Sequence, residues 1–266
     1  MKEESRFEKG YKKLSEIDGE AGEVVVKNLK DISPDLGKYI IEYCFGDVYS
    51  REVLDLKSKE IAVVAALTAL GNAEPQLKVH INGALNVGCS INEIKEIILQ
   101  MSAYSGFPSS INGMNALKEV LNERQKQGKS DLIGESPTNE TSSGNRYEIG
   151  ANELTQLDSM QVERLEKAYN DFSPDLTKFI LEYGYGDIFA RNNLDKQYRQ
   201  IATIAALTAL GNAQSQLKFH INAGLNIGLS IDDIREIMLL MTVYSGFPSA
   251  INGTNILKEV LNERNK

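Results

Sequence analysis

The chain has 266 residues, 42% hydrophobic and 25% charged, an ordinary globular balance that indicates neither disorder nor a fibrous class. Its formal net charge of -8 argues against nucleic acid or an anionic membrane surface as the main partner, because binding a polyanion needs clustered Lys and Arg. The apolar run Ile61 to Leu70 is too short to span a bilayer and MKEESRFEKG lacks the apolar stretch of a signal peptide, so a soluble, cytoplasmic protein is expected.

Residues 3–30 alternate charged and apolar groups at helical spacing, with Gly19 and Gly22 marking a break between two short helices. Ser33 can cap and Pro34 can occupy the first turn of a helix predicted from Pro34 to Phe45 and ended by Gly46. Asp47 to Asp55 reads as a short helical turn and loop. A long helix then follows over Leu56 to Leu70, apolar nearly all round and therefore central. Gly71 suits its end, and Asn72 is placed to cap the next helix, Ala73 to Val87. Ser90-Ile-Asn-Glu93 has the form of a capping box, and Ile94, Ile97, Ile98 and Met101 form one amphipathic stripe. Tyr104-Ser-Gly-Phe-Pro108 breaks that helix and starts the last, which runs to Arg124. No strand pattern occurs, so the fold class is all-α.

The whole unit then recurs. A constant offset maps Pro34 on Pro174, Arg51 on Arg191, His80 on His220 and Pro108 on Pro248, with most positions from Asp31 to Arg124 identical and no gap. Between the copies, Gln125 to Ile149 has the composition of a linker, and its Asn139-Glu-Thr141 sequon reads as chance. The predicted organisation is a first domain over residues 1–125, a linker over 126–148 and a second domain over 149–266. Fused copies of one unit are expected to pack about a pseudo-two-fold axis. Cys44 and Cys89 face Gly184 and Leu229 in the second copy, outside the duplicated machinery, and are expected to be buried free thiols.

His80 and His220 are the only histidines of the chain. Each lies one helical turn after a glutamine, Gln76 or Gln216, on the same face, so the pair can address one cavity. A histidine there can exchange protons near neutral pH while the glutamine orients it or holds a substrate oxygen; the bland alternative is a satisfied buried imidazole. Arg51 and Arg191 can hold a carboxylate in bidentate fashion, or make a structural salt bridge or an inter-subunit contact. Asn82, Asn222, Tyr104 and Tyr244 also recur in both copies and join the candidate substrate-binding set; the Tyr-Ser-Gly-Phe-Pro turns either wall a pocket or form packed corners. Glu60 is a candidate general acid or base whose counterpart, Gln200, cannot titrate. There is no Gly-rich phosphate loop, Gly-x-Ser-x-Gly elbow or Cys-x-x-Cys, and a lone histidine without ligand-spaced partners makes a zinc site improbable.

From about Tyr43 to Val120, and again from Tyr183 to Val260, the chain resembles the carboxymuconolactone decarboxylase family. The match is carried by Gly-Asp-Val-Tyr-Ser-Arg51 with Leu54-Asp55, Ala-Ala-Leu-Thr-Ala-Leu-Gly71, Gln-Leu-Lys-Val-His80, Ala84-Leu-Asn-Val-Gly88 and Tyr104-Ser-Gly-Phe-Pro108. The resemblance implies an all-α fold shared with alkylhydroperoxidase D and assembly as a homo-oligomer, three tandem chains making a pseudo-hexamer. In the decarboxylase branch an arginine usually follows the histidine by two positions; Asn82 and Asn222 stand there instead, a departure from a lactone-acid substrate. In the peroxidase branch a Cys-x-x-Cys opens the same helix, and Ala73 with Gln76, and Ala213 with Gln216, take its place. The reading that follows is a cofactor-independent, decarboxylase-like lyase on a small carboxylated metabolite, with no metal. Its alternatives are a peroxiredoxin-type antioxidant using Cys44 or Cys89, and a non-catalytic oligomeric binding module.

Overall fold

In the computed structural model of the protein, residues 4–19, 21–138 and 145–265 are described, and all regular structure among them is helical. The Asn139 sequon lies outside the described residues. The first half comprises α1 (Arg6–Asp18), α2 (Ala21–Leu29), α3 (Pro34–Tyr39), a π-helical segment (Ile40–Tyr49), α4 (Leu56–Leu70), α5 (Glu74–Asn86), α6 (Ile91–Gln100) and α7 (Phe107–Lys126). The second half repeats this order with α8 (Arg146–Leu157), α9 (Gln161–Tyr169), α10 (Pro174–Phe179), a second π-helical segment (Ile180–Phe189), α11 (Lys196–Leu210), α12 (Gln214–Asn226), α13 (Ile231–Tyr244) and α14 (Gly246–Arg264). No helix among the described residues is long and apolar enough to cross a membrane.

The local signals act as their chemistry requires at most helix ends. Asp55 and Asp195 cap α4 and α11, capping boxes form at Ser5, Ser90 and Ser230, and Gly71 ends α4 in the left-handed conformation at φ 67°. Asn72 does not cap α5: the N-cap is Ala73, without a side-chain cap, and Asn72 is solvent-exposed. The predicted helix from Pro34 to Phe45 is α-helical only to Tyr39, and its π-helical continuation passes through Gly46 to Tyr49. There α1 packs with its backbone against the widened turn. A Cβ on Gly10 would stand 2.0 Å from the Ile41 carbonyl oxygen, and one on Gly150 1.8 Å from that of Leu181, so only glycine permits the approach. Sequence periodicity does not report this widening, which carries Tyr43, Cys44 and Tyr49 into the interior.

The central helices α4 and α11 pack against each other, and one continuous apolar core runs through both halves. Ile61 to Ala66 and Ala202 to Ala206 are almost wholly buried, which is why α4 has no polar face. Each buried Ile or Val there contributes about 1.5–3 kcal/mol relative to exposure. Contacts between the halves come in mirrored pairs: the Tyr43 hydroxyl meets Thr242 as Tyr183 meets Ser102, and Phe247 packs on Tyr43 as Phe107 packs on Tyr183. This is the reciprocity of a pseudo-two-fold axis. After α7 the chain is pinned to the start of α6, where Leu132 and Ile133 carbonyls accept from Ile91 and Asn92 and the Asn92 amide donates to Gly134 and Glu135.

Candidate functional site

Each half holds its histidine on the helix after the central one, against the π-helical segment of its own half and the end of α6 or α13 from the other half. In the first half His80 Nδ1 lies 2.9 Å from Glu60 Oε2, and the Tyr49 hydroxyl donates to Glu60 Oε1 at 3.0 Å. Tyr244, from the second half, places its hydroxyl 2.9 Å from that of Tyr49 and its ring edge-on to His80 at 4.9 Å. A phenol has one proton, so the chain of bonds runs Tyr244 to Tyr49 to Glu60, with His80 Nδ1–H donating to the other carboxylate oxygen. That tautomer leaves Nε2 unprotonated and, among the described residues, without a hydrogen-bond partner. Burial holds the hydroxyls of Tyr49 and Tyr244 well above the usual phenol range, so both remain donors. Gly83 makes room: a Cβ there would be 3.1 Å from Glu60 Oε2, and the second half has Ala223 at that place.

The second half keeps the geometry and loses the ionisable groups. His220 Nδ1 lies 2.9 Å from Gln200 Oε1, Phe189 replaces Tyr49, and Gly184 replaces Cys44. The Tyr104 hydroxyl, from the first half, donates to His220 Nε2 at 3.1 Å, so both ring nitrogens are occupied. Burial with no opposite charge pushes the His220 imidazole down to about 3. Gln200 Nε2 is buried without a partner, at the place where the first half has the Tyr49 hydroxyl. Beside His220 opens a cavity of about 790 Å³, lined by aromatic side chains from both halves.

The remaining predicted site residues divide. Gln76 and Gln216 are both solvent-exposed, one turn before their histidines, and Gln216 lies at the edge of the cavity beside His220. Tyr104 and Tyr244 do serve the histidines, but crossed: each completes the site of the other half, which a one-copy reading of the sequence cannot show. Arg51 and Arg191 stand as ion pairs between halves, Arg51 with Glu236 at 2.8 Å and Arg191 with Glu96 at 2.7 Å. These are the contacts of the salt-bridge alternative. Asn82 and Asn222 are also displaced from the site, because two positions after the histidine is about 200° around the helix. Their side chains, with those of Asn86 and Asn226, accept from Arg124 and Arg264 instead. Cys44 and Cys89 are free and buried, and burial pushes both thiols up to about 12. Among the described residues no group of three His, Cys, Asp or Glu is placed to hold a metal ion.

Sequence reasoning missed four groups. Tyr49 faces Phe189 in the other copy, so internal repetition gives it no signal. Glu96 and Glu236 are retained, and their burial between isoleucines on α6 and α13 was the available signal. Lys59 and Arg199, almost wholly buried, pair with those glutamates and donate to the carbonyls of Arg51 and Arg191; Lys59 also donates to the Tyr49 carbonyl, which fixes the residue above Glu60. Asp18 is buried near His80 and Glu60 with neither oxygen partnered.

Comparison with known proteins follows the internal repeat. The model of the carboxymuconolactone decarboxylase family matches residues 34–119 and again 174–259. The 4-carboxymuconolactone decarboxylase of Acinetobacter baylyi is 32% identical over 124 residues, covering 92% of that protein and 46% of this chain. An uncharacterised 15.0 kDa protein of Paracoccus denitrificans is 30% identical, over 77% of its length and 38% of this chain. The nitrosuccinic acid decarboxylase of Metarhizium robertsii is 28% identical, over 85% of its length and 46% of this chain. With both halves matched by the family model and a single half spanning nearly all of such a relative, the chain belongs to the carboxymuconolactone decarboxylase family, as a tandem duplication of its domain.

Proposed function

We propose that the protein is a cofactor-independent, decarboxylase-like lyase acting on a small carboxylated metabolite, with its proton-transfer centre in the first half. The observation that carries this reading is the Glu60–His80 pair at 2.9 Å, extended by the Tyr49 and Tyr244 hydroxyls. Loss of carbon dioxide breaks the bond to the carboxylate carbon and leaves its electron pair on the neighbouring carbon as a carbanion or enolate. Such a species needs donors for the developing charge and then a proton. His80 Nε2 takes the proton of the departing carboxyl group and returns it to the carbon that loses carbon dioxide, while Glu60 holds the tautomer at Nδ1 and stabilises the imidazolium that forms. The phenol chain behind Glu60 fixes the carboxylate and supplies no charge of its own. A thiol peroxidase gains nothing from this arrangement, since thiols raised to about 12 hold almost no thiolate near neutral pH.

Assembly as a homo-oligomer is part of the same proposal. Large apolar side chains are exposed at matching positions of both halves, Ile32 and Phe172, Leu36 and Leu176, Phe107 and Phe247, Ile111 and Ile251. Repeated exposed apolar groups are the surface that repeated subunit contacts cover. Light scattering is expected to give close to three times the 29.5 kDa chain.

The activity test is carbon dioxide release from a panel of small carboxylated acids that includes 4-carboxymuconolactone and nitrosuccinate. Release from at least one, lost in His80→Gln with helicity and assembly unchanged, is the expected result. Silence across the panel, or undiminished release by the variant, would sink the reading.

A further inference from the structure

We propose that the cavity beside His220 is a binding site for an uncharged ring compound, and not a second copy of the proton-transfer centre. The inference goes beyond the reading of the first half and does not require that half to be active.

Three observations carry it. The first is size and lining: about 790 Å³ falls within the range of about 300–1,000 Å³ typical of small-molecule sites, and Tyr104, Phe107, Phe179, Tyr183 and Phe219 offer ring faces and edges to an occupant. The second is the floor. Glu60, Tyr49 and Cys44 of the first half correspond here to Gln200, Phe189 and Gly184, so no ionised carboxylate faces the imidazole. His220 is neutral and satisfied at both nitrogens by Gln200 and Tyr104, and a charged group pressed against it would be desolvated without a counter-ion. The third is space made by a glycine. A Cβ on Gly184 would meet no atom within 4 Å, so the volume that a Cys44-like side chain would take is left open to the cavity.

Charge near the cavity is confined to its rim. Arg164 lines it there and is already bridged to Asp158 at 2.8 Å, with its side chain 60% exposed. Gln216 lines it one turn before His220 and can donate to a hydroxyl or carbonyl on the ring, while the Tyr104 oxygen, its proton given to His220 Nε2, can accept from a ring hydroxyl. An uncharged bicyclic or substituted monocyclic compound with one such group is therefore the class that fits.

The probe is 2-naphthol, neutral near pH 7 and fluorescent, titrated into the full chain, which contains no tryptophan to interfere. 2-Naphthoate, of the same shape and negatively charged, is the comparison. Saturable binding of one 2-naphthol per chain is expected, with 2-naphthoate at least tenfold weaker. Gly184→Phe, which fills the cavity from a position without local clash, is expected to weaken 2-naphthol at least tenfold. Phe219→Ala, which removes a ring from the wall, should weaken it several-fold, and it keeps the test decisive if the first variant does not fold. Equal binding of the anion overturns the ligand class. No saturable binding, or binding unchanged by the folded variants, overturns the site, and neither outcome bears on carbon dioxide release at His80.

Discussion

The two halves share a backbone and part company in their ionisable side chains. Gly10 and Gly150 permit the same close packing of α1 and α8, Arg51–Glu236 mirrors Arg191–Glu96, and each histidine stands in the same frame. Around that frame Glu60, Tyr49 and Cys44 face Gln200, Phe189 and Gly184. Packing depends on every position of the frame, so a duplicated fold must keep the frame in both copies. Proton transfer needs only one complete set of acids and bases, so the second copy can exchange its set for an uncharged floor. The difference separates the groups that the shared fold requires from those it does not.

The strongest way to break the comparison is to make the first site like the second. Glu60→Gln preserves shape and hydrogen-bond distance but removes the charge that stabilises an imidazolium. It is expected to lower kcat by about 10²–10⁴-fold, in the range for loss of acid–base assistance. Rates of carbon dioxide release on whichever acid of the panel is turned over measure it; a change below threefold would move the chemistry away from this pair.

The ties between halves are mirrored in position and unequal in strength. Glu96 bridges Arg191 and fully buried Arg199, which also reaches Gln100, whereas Glu236 bridges Arg51 and stands 3.6 Å from Lys59. Glu96→Ala strands a guanidinium that cannot shed its proton and is expected to cost about 3–5 kcal/mol. Glu236→Ala leaves an amine whose proton affinity burial already lowers and which keeps its carbonyl partners, so about 1–3 kcal/mol is expected. Urea unfolding of both variants ranks them, and the reverse order would contradict the account.

Asp18 and Asp158 give a third contrast. Asp158 accepts from the Met160 N–H and Arg164, but Val24 stands where Arg164 would be and Asp18 is left buried and unpaired. Burial raises its carboxyl from 3.8 to about 6, opposed by His80 and reinforced by Glu60. The folded state therefore holds this proton more tightly than the unfolded chain. Its contribution is full below about pH 4 and is lost as pH rises through about 6. Asp18→Asn is insensitive to that loss, so its stability relative to the parent should rise by about 1–3 kcal/mol between pH 4 and pH 7. A pH-independent difference in urea midpoints would show that Asp18 is solvated.

The all-α class, the duplication and most helix ends were legible because each rests on local chemistry or on internal repetition. Asn72 and the helix from Pro34 misled because capping and helix type there are decided by packing, Gly10 against Ile41 above all. The crossing of Tyr104 and Tyr244 was illegible, since offset alignment relates like to like and says nothing of which copy a residue faces. Retention in both copies also marks scaffold: Arg51, Asn82 and their partners recur because packing holds them, whereas Tyr49 faces Phe189 and carries no such signal.

The last test is the reverse conversion, Gln200→Glu with Phe189→Tyr. Gln200 Nε2 is a buried donor without a partner, so the amide is the less well satisfied group at this place and its replacement removes an orphan. The restored phenol would donate to the new carboxylate as Tyr49 does to Glu60 at 3.0 Å, leaving the second oxygen for His220 Nδ1–H. An opposite charge at hydrogen-bond distance favours the imidazolium by about 1–3 pH units, equivalent to about 1.4–4 kcal/mol. His220 should then titrate well above its starting value of about 3. With only two histidines in the chain, their ring proton resonances are separable by comparison with His80→Gln, and a pH titration reads the shift directly. A His220 that stays unprotonated in the double variant would show that its depth, and not the residue beside it, is what separates the two halves.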